Sequence, residues 1–157
     1  MKDTKDSARA VSDLKTHVGF WLRFVSNHVS HAFSRKLLAS GVTVAEWVVM
    51  REMFDDMETS PGVLAERIGI TRGAVSKLVY RLVGKSLITR RERSDDRRFQ
   101  SIALTASGRR LVPQLAALAD RNDEEFFHPL SSRERAALIA TMKKLVQAHR
   151  LQTLPTE

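Results

Sequence analysis

The stretch SPGVLAERIGITRGAVSKLVYRLVGKSLITRRERSDDRRFQSIALT, residues 60–105, decides how this chain folds. Ser60 can accept a hydrogen bond from the free N–H groups of a helix start, and Pro61 fits the first helical position. Leu64, Ala65 and Ile68 then share one helix face. Gly69 ends that helix, because glycine takes the left-handed conformation that helix ends favour, and Thr71 can cap a second helix two residues later. In this second helix Val75, Leu78, Val79 and Leu82 recur at three- and four-residue spacing and face a core. Arg72, Ser76, Lys77, Tyr80 and Arg81 occupy the rest of its circumference. Two short helices joined by a tight turn, the second basic on its free side, suit a DNA major groove.

Leu87 to Arg93 follow as a strand, and Gln100, Ile102 and Leu104 alternate with Phe99, Ser101 and Ala103 on its partner. Between them lies Ser94-Asp95-Asp96-Arg97-Arg98. The aspartates can bond their own backbone and tighten the turn, Asp96 can brace Arg98, and Arg97 and Arg98 project toward a phosphate or a narrow minor groove. The expected unit is a winged helix-turn-helix.

Val63 to Leu104 resembles the DNA-binding part of the multiple-antibiotic-resistance regulator (MarR) family. In that family the wing carries aspartate, any residue and arginine, then a leucine-threonine pair a few residues on, as Asp96-Arg97-Arg98 and Leu104-Thr105 do here. The resemblance gives Asp96 and Arg98 the family's wing roles. One departure precedes the wing. The family places a glycine directly before its leucine-isoleucine pair, whereas this chain reads Gly84-Lys85-Ser86-Leu87-Ile88, with the glycine two places earlier.

The 157 residues, 43% of them hydrophobic, make one domain with a sizeable core. No apolar run approaches the roughly 18 residues of a membrane span, and Met1-Lys2-Asp3-Thr4-Lys5-Asp6 lacks the apolar centre of a signal peptide, so the expected location is the cytoplasm. With no cysteine, disulfides, cysteine–zinc sites and a thiol redox switch are excluded. A formal charge of +8 and a pI near 10.4 favour a polyanionic partner. No Gly-x-Ser-x-Gly elbow, phosphate-cradling glycine loop or zinc-hydrolase helix motif is present, so no enzyme is expected.

Helices on either side of the winged unit complete the fold expected: mainly α, six helices, with a two-stranded β wing. Leu14, Val18, Leu22, Val25, Val29 and Phe33 form an aliphatic stripe on a long first helix. Thr43-Val44-Ala45-Glu46 is a capping-box signature for the second, which Trp47, Val48 and Phe54 anchor. Leu111, Leu115 and Leu118 mark a fifth helix; Pro129 separates it from a sixth, capped by Ser131-Ser132-Arg133-Glu134 and carrying Leu138, Ile139, Met142, Leu145 and Val146. Apolar faces at both chain ends exceed what the small winged core can cover, so pairing with a second copy is expected. The division is one domain, 1–157, with residues 11–39 and 106–149 as dimerisation helices and 43–105 as the DNA-binding lobe. Dimerisation through terminal helices is also what the resemblance implies.

A two-fold dimer sets its reading helices about 34 Å apart, which predicts an inverted-repeat operator in double-stranded DNA. Arg72 and Lys77 are the candidates for base edges, with help from Ser76; Thr71, Arg81 and Lys85 suit phosphates, and Arg97 and Arg98 the wing contacts. A second stripe of the first helix, His17, Trp21, Phe24, His28, His31 and Arg35, offers rings and hydrogen-bonding groups to a planar organic anion, with Trp47 and Arg51 contributed by the second helix. Aromatics at this spacing also pack cores, so the reading stays open. The resemblance implies a phenolic or aromatic acid effector and a repressor released by it; a zinc-responsive or effector-independent regulator is the alternative. His28 and His31 are a pair without further ligands nearby in sequence, and no metal or cofactor is expected.

Overall fold

The computed structural model describes residues 11–92 and 100–152. A 3-10 turn, Leu14–Thr16, precedes α1 (Val18–Leu37); a second, Leu38–Ser40, leads to α2 (Val44–Glu52), α3 (Pro61–Ile68) and α4 (Arg72–Gly84). Strands β1 (Ile88–Glu92) and β2 (Gln100–Leu104) form an antiparallel pair, followed by α5 (Ala106–Phe127) and α6 (Ser132–Ala148). This is the mainly helical, winged architecture expected.

The helix starts follow local chemistry. Ser60 Oγ accepts from the Val63 N–H at 3.3 Å and Thr71 Oγ1 from that of Ala74 at 3.2 Å. Thr43 with Glu46, and Ser131 with Glu134, close reciprocal capping boxes. Gly69 ends α3 at φ 77°, the left-handed conformation that makes the turn into α4.

The first helix differs from its expectation. Leu14 lies in a 3-10 turn, and His17, extended at φ −87° and ψ 126°, separates that turn from α1. His17 therefore precedes α1 instead of continuing its stripe. Asp13 accepts from the Lys15 N–H and stabilises the turn in place of a longer helix.

In the wing, Ile88 stands opposite Leu104 and Arg90 opposite Ile102. Thr59 adds an unanticipated third rung, exchanging two backbone bonds with Ile102 at 3.0 and 2.8 Å. The core gathers every layer of the lobe: Met50, Leu64, Val75, Leu82, Ile102 and Leu115 are at most 1% exposed. Val79 also faces inward and Leu78 is partly covered, as the α4 periodicity predicts.

Two close approaches fix α5. Thr105 Oγ1 donates to the Ser86 carbonyl at 2.8 Å and accepts from the Gly108 N–H at 3.0 Å. Gly108 packs so tightly that a Cβ there would clash with the Leu87 carbonyl oxygen. Arg109, from the same turn, donates to the carbonyls of Phe54 and Asp56 at 3.1 and 2.7 Å. Asp56 in turn pairs with Arg67 of α3.

The terminal helices keep apolar faces open. On α1, Val18, Trp21, Leu22, Phe24 and Val25 are exposed, and on α6 so are Leu138, Ile139, Met142, Leu145 and Val146. No residue of α6 is buried. Helix α1 is held to α5 partly by polar links: Lys36 pairs with Glu125 at 2.7 Å, and the buried Asn122 accepts from Lys36 and donates to the Val29 carbonyl.

Candidate nucleic-acid interface

Capped by Thr71 and cored by Val75, Val79 and Leu82, α4 turns Arg72, Ser76, Lys77, Tyr80 and Arg81 to solvent. The helix contains no acidic residue, and among the described residues none of its cations is paired with a carboxylate. Arg72 leans back over the start of α3, its Nε 3.7 Å from the position a Gly62 Cβ would take. Thr71 is exposed but already engaged as the cap. The outcome is a convex, cationic ridge whose shape and charge match a groove lined by phosphates.

Lys85 departs from its expected role. Its ammonium donates to the Glu46 carboxylate and to the Gly41 carbonyl, each at 2.7 Å, so it is engaged within the protein and not extended toward phosphate. Glu46 is 1% exposed; its Oε2 also accepts from the Thr43 N–H at 2.8 Å, while Oε1 finds no partner among the described residues. Burial pushes the Glu46 carboxyl upward, but the Lys85 ammonium and the Thr43 bonds outweigh it and hold the pKa below the ordinary value of 4.5. A charge buried this deeply needs its counterion, which is why Lys85 turns inward.

Ser86 follows at φ 57°, a left-handed conformation unusual for a residue with a side chain. It stands directly before Leu87-Ile88, the place where the resembled family keeps its glycine. Gly84 is the last residue of α4, so the displaced glycine does not serve as the left-handed stop.

At the wing, Arg90 is exposed and Arg91 pairs with Glu58 at 2.6 Å. Asp96, Arg97 and Arg98 lie outside the described residues, as does Arg93 at the expected end of the first strand.

Of the residues expected to hold an effector, Trp21, Phe24 and His28 lie ring to ring on α1, whereas Trp47 and Arg51 do not join them. Trp21 and Phe24 are about half exposed on α1, with the Trp21 indole donating to the Lys15 carbonyl at 2.9 Å. The His28 ring lies 4.6 Å from that of Phe24. Trp47 instead enters the core, edge-on to Phe33 at 6.3 Å, because the capped start of α2 aims it inward. Arg51 is spent on Asp55 at 3.0 Å. His31 and Arg35 remain exposed along α1, and among the described residues no third metal-ligating side chain joins His28 and His31.

A cleft of about 340 Å³ opens elsewhere, between Val29 of α1, Asp123 and Phe127 of α5, and Arg135, Leu138, Ile139 and Met142 of α6. Arg135 spans its rim, forked onto Glu124 at 2.8 and 3.2 Å and donating to the Phe127 carbonyl at 3.1 Å. The α6 members were legible as an apolar stripe. Phe127 and Arg135 carried no periodic signal, and only the fold brings them together.

Comparison with known proteins agrees with this geometry. Residues 40–98 match the model of the MarR family. The chain is 25% identical over 105 residues to the transcriptional regulator HosA of Escherichia coli O157:H7, covering 67% of this chain and 78% of HosA. It is 28% identical over 129 residues to a protein described as a transcriptional regulatory protein for the hcr operon of Thauera aromatica, covering 82% and 78%. Among solved structures, Bordetella bronchiseptica BpsR, whose DNA binding is regulated by 6-hydroxynicotinic acid, superposes with a TM-score of 0.78 at 24% identity, over 87% of this chain and 97% of BpsR. A cysteine-to-serine mutant of Escherichia coli MarR bound to operator DNA gives 0.77 at 23% identity, over 86% and 99%. The two structural likenesses speak to the fold, and the family model to the winged lobe within it. The chain thus shares its fold with MarR-family structures, and its winged lobe, residues 40–98, matches the MarR family model.

Proposed function

We propose that this protein is a cytoplasmic homodimeric repressor, bound to an inverted-repeat operator and released from it by a small aromatic or phenolic acid. The observation that carries the DNA half is the α4 ridge, where Arg72, Lys77 and Arg81 stand exposed on a helix without a single carboxylate. Arg72 and Lys77 read base edges with Ser76 beside them, Thr71 and Arg81 take phosphates, and Asp96, Arg97 and Arg98 form the wing contact. The open apolar faces of α1 and α6 support pairing, so that residues 11–39 and 106–149 form the dimer body and 43–105 the reading lobe.

The effector half is supported by BpsR, regulated by an aromatic acid. In a dimer the exposed Trp21, Phe24 and His28 gain a second wall from the partner, which is how an α1 stripe that is open in one protomer can become a pocket. Release then follows from linkage: the acid binds better to a dimer whose reading helices are misaligned than to the DNA-ready form. Two observations favour the effector-independent alternative, the burial of Trp47 and the pairing of Arg51.

Fluorescence anisotropy with the duplex upstream of its own gene and a scrambled duplex, at about 150 mM salt, tests both halves. A preference of about 10³-fold for the native duplex is expected, lost on adding salicylate or 6-hydroxynicotinate. Equal, weak, salt-sensitive binding to both overturns the repressor reading. Specific binding indifferent to either acid, and to a chelator, leaves the effector-independent regulator. Arg98→Ala should weaken binding to every duplex.

A further inference from the structure

Among the described residues, nothing within the protein accounts for three residues on the outward side of α4. Tyr80 is the chain's one tyrosine and is 72% exposed; among the described residues its hydroxyl makes no hydrogen bond and its ring meets no other aromatic. At 100° per residue, Gly73 and Gly84 lie about 20° and 40° from it around the helix, one toward each end. A Cβ at either glycine would meet nothing within 4 Å, and neither has the positive φ that reserves a position for glycine. Glycine is a weaker helix former than alanine. Packing and backbone conformation both leave them unexplained. What remains is close approach of another molecule to bare helix backbone, on either side of one projecting ring.

We propose that Tyr80 is a specificity-determining residue that packs its ring on a thymine methyl in the major groove, while Gly73 and Gly84 let the backbone of α4 seat close to the groove edge. This rests on the DNA-binding reading of α4. The chemistry selects the thymine. Lys77 and Arg81 flank Tyr80 along α4 with cations suited to phosphates and purine edges, and the thymine C5-methyl is the one apolar feature that the groove floor presents. An aromatic face gains little from phosphate but loses water readily against a methyl, and the hydroxyl can stay at the wet edge of the contact. Specificity at a T·A pair follows, independent of the hydrogen bonds made by Arg72 and Lys77.

The test uses the full chain and a duplex that the wild-type protein selects from a random library, with each thymine replaced in turn by uracil to delete one methyl. For the wild type, one thymine per half-site should show a loss of about fourfold, the effect of one buried methyl. Tyr80→Phe should keep that sensitivity. Tyr80→Ala should lose it, binding the thymine and uracil duplexes alike. Gly73→Ala should weaken binding while leaving the thermal midpoint unchanged or raised. A single 3-fluorotyrosine should shift its one ¹⁹F resonance on adding the selected duplex more than on adding the uracil form. Equal uracil losses in wild type and Tyr80→Ala, or no uracil loss at any position, would overturn the role of Tyr80 while Arg72→Ala and Lys77→Ala still mark α4 as the reading helix. Failure to select any duplex overturns the DNA-binding reading and this one together.

Discussion

The Lys85 ammonium lies 2.7 Å from the carboxylate of Glu46, a residue 1% exposed, and thereby joins the end of α4 to the start of α2. Removing one partner leaves the other charge without compensation. Breaking a fully buried pair is worth about 3–5 kcal/mol; because the Lys85 side chain is 37% exposed and water screens it, Lys85→Ala should lower stability by about 1–3 kcal/mol. Urea unfolding measures this, and an unchanged midpoint would mean that the pair contributes nothing.

The same carboxylate gives a pH dependence. Its folded pKa is below 4.5, so its contribution to stability is complete above about that pH and disappears as pH falls through the folded value. Unfolding free energy should therefore drop with acidification below pH 4.5. Glu46→Gln should flatten that part of the profile. An identical slope in the variant would assign the acid sensitivity to other groups.

Gly108→Ala should destabilise the protein, by about 3 kcal/mol, although alanine is the better helix former. The new methyl would clash with the Leu87 carbonyl oxygen, and neither a Cβ nor a backbone oxygen can rotate away. Calorimetry reads the effect as a fall in Tm. A rise would mean that α5 can slide outward without loss.

The opposite outcome is expected at the end of α4. Ser86 holds φ 57°, where glycine is at ease, while Gly84 is helical with room for a Cβ. Ser86→Gly should stabilise by about 1 kcal/mol, and Gly84→Ala by less, because Gly84 is the last residue of α4. Gly84→Ala should at the same time weaken DNA binding, separating fold from function at one position. Paired unfolding and anisotropy measurements check both signs.

Helix α6 has its own acid response. Arg135 and Ser131 hold the carboxyls of Glu124 and Glu134, respectively, below their ordinary value of 4.5, and both anchor the first turn of α6. Their contributions are present above that pH and fade below it. Amide exchange across 132–148 should accelerate as pH is lowered from 5 to 3, once corrected for intrinsic rates. Uniform protection over that range would show that apolar contacts alone hold α6.

Four helix caps, the Gly69 turn and the inward face of α4 were readable because each depends on residues within a few positions of one another. Long-range partners left no such mark. Glu46 reads as a capping residue, and nothing near it in sequence reveals a lysine 39 positions away. Trp47 resembles pocket aromatics until the fold buries it edge-on to Phe33. The Thr59 rung on β2 is a single residue long, too short for alternation to show. His17 fits the helical spacing of α1 and is set apart by the local turn that Asp13 supports. The displaced glycine before Leu87 was visible as a departure, but that Ser86 would bear the left-handed conformation was not.

Lys85 also donates to the carbonyl of Gly41, the residue that closes the turn after α1. Arg109 makes a matching strap from α5 to the carbonyls of Phe54 and Asp56, just ahead of α3. The winged lobe is thus lashed at both flanks to the long helices that would form the dimer body. In such a dimer a small rotation at the root of α1 or α5 would carry α4 with it, and distance from the pivot would convert tilt into displacement at the groove.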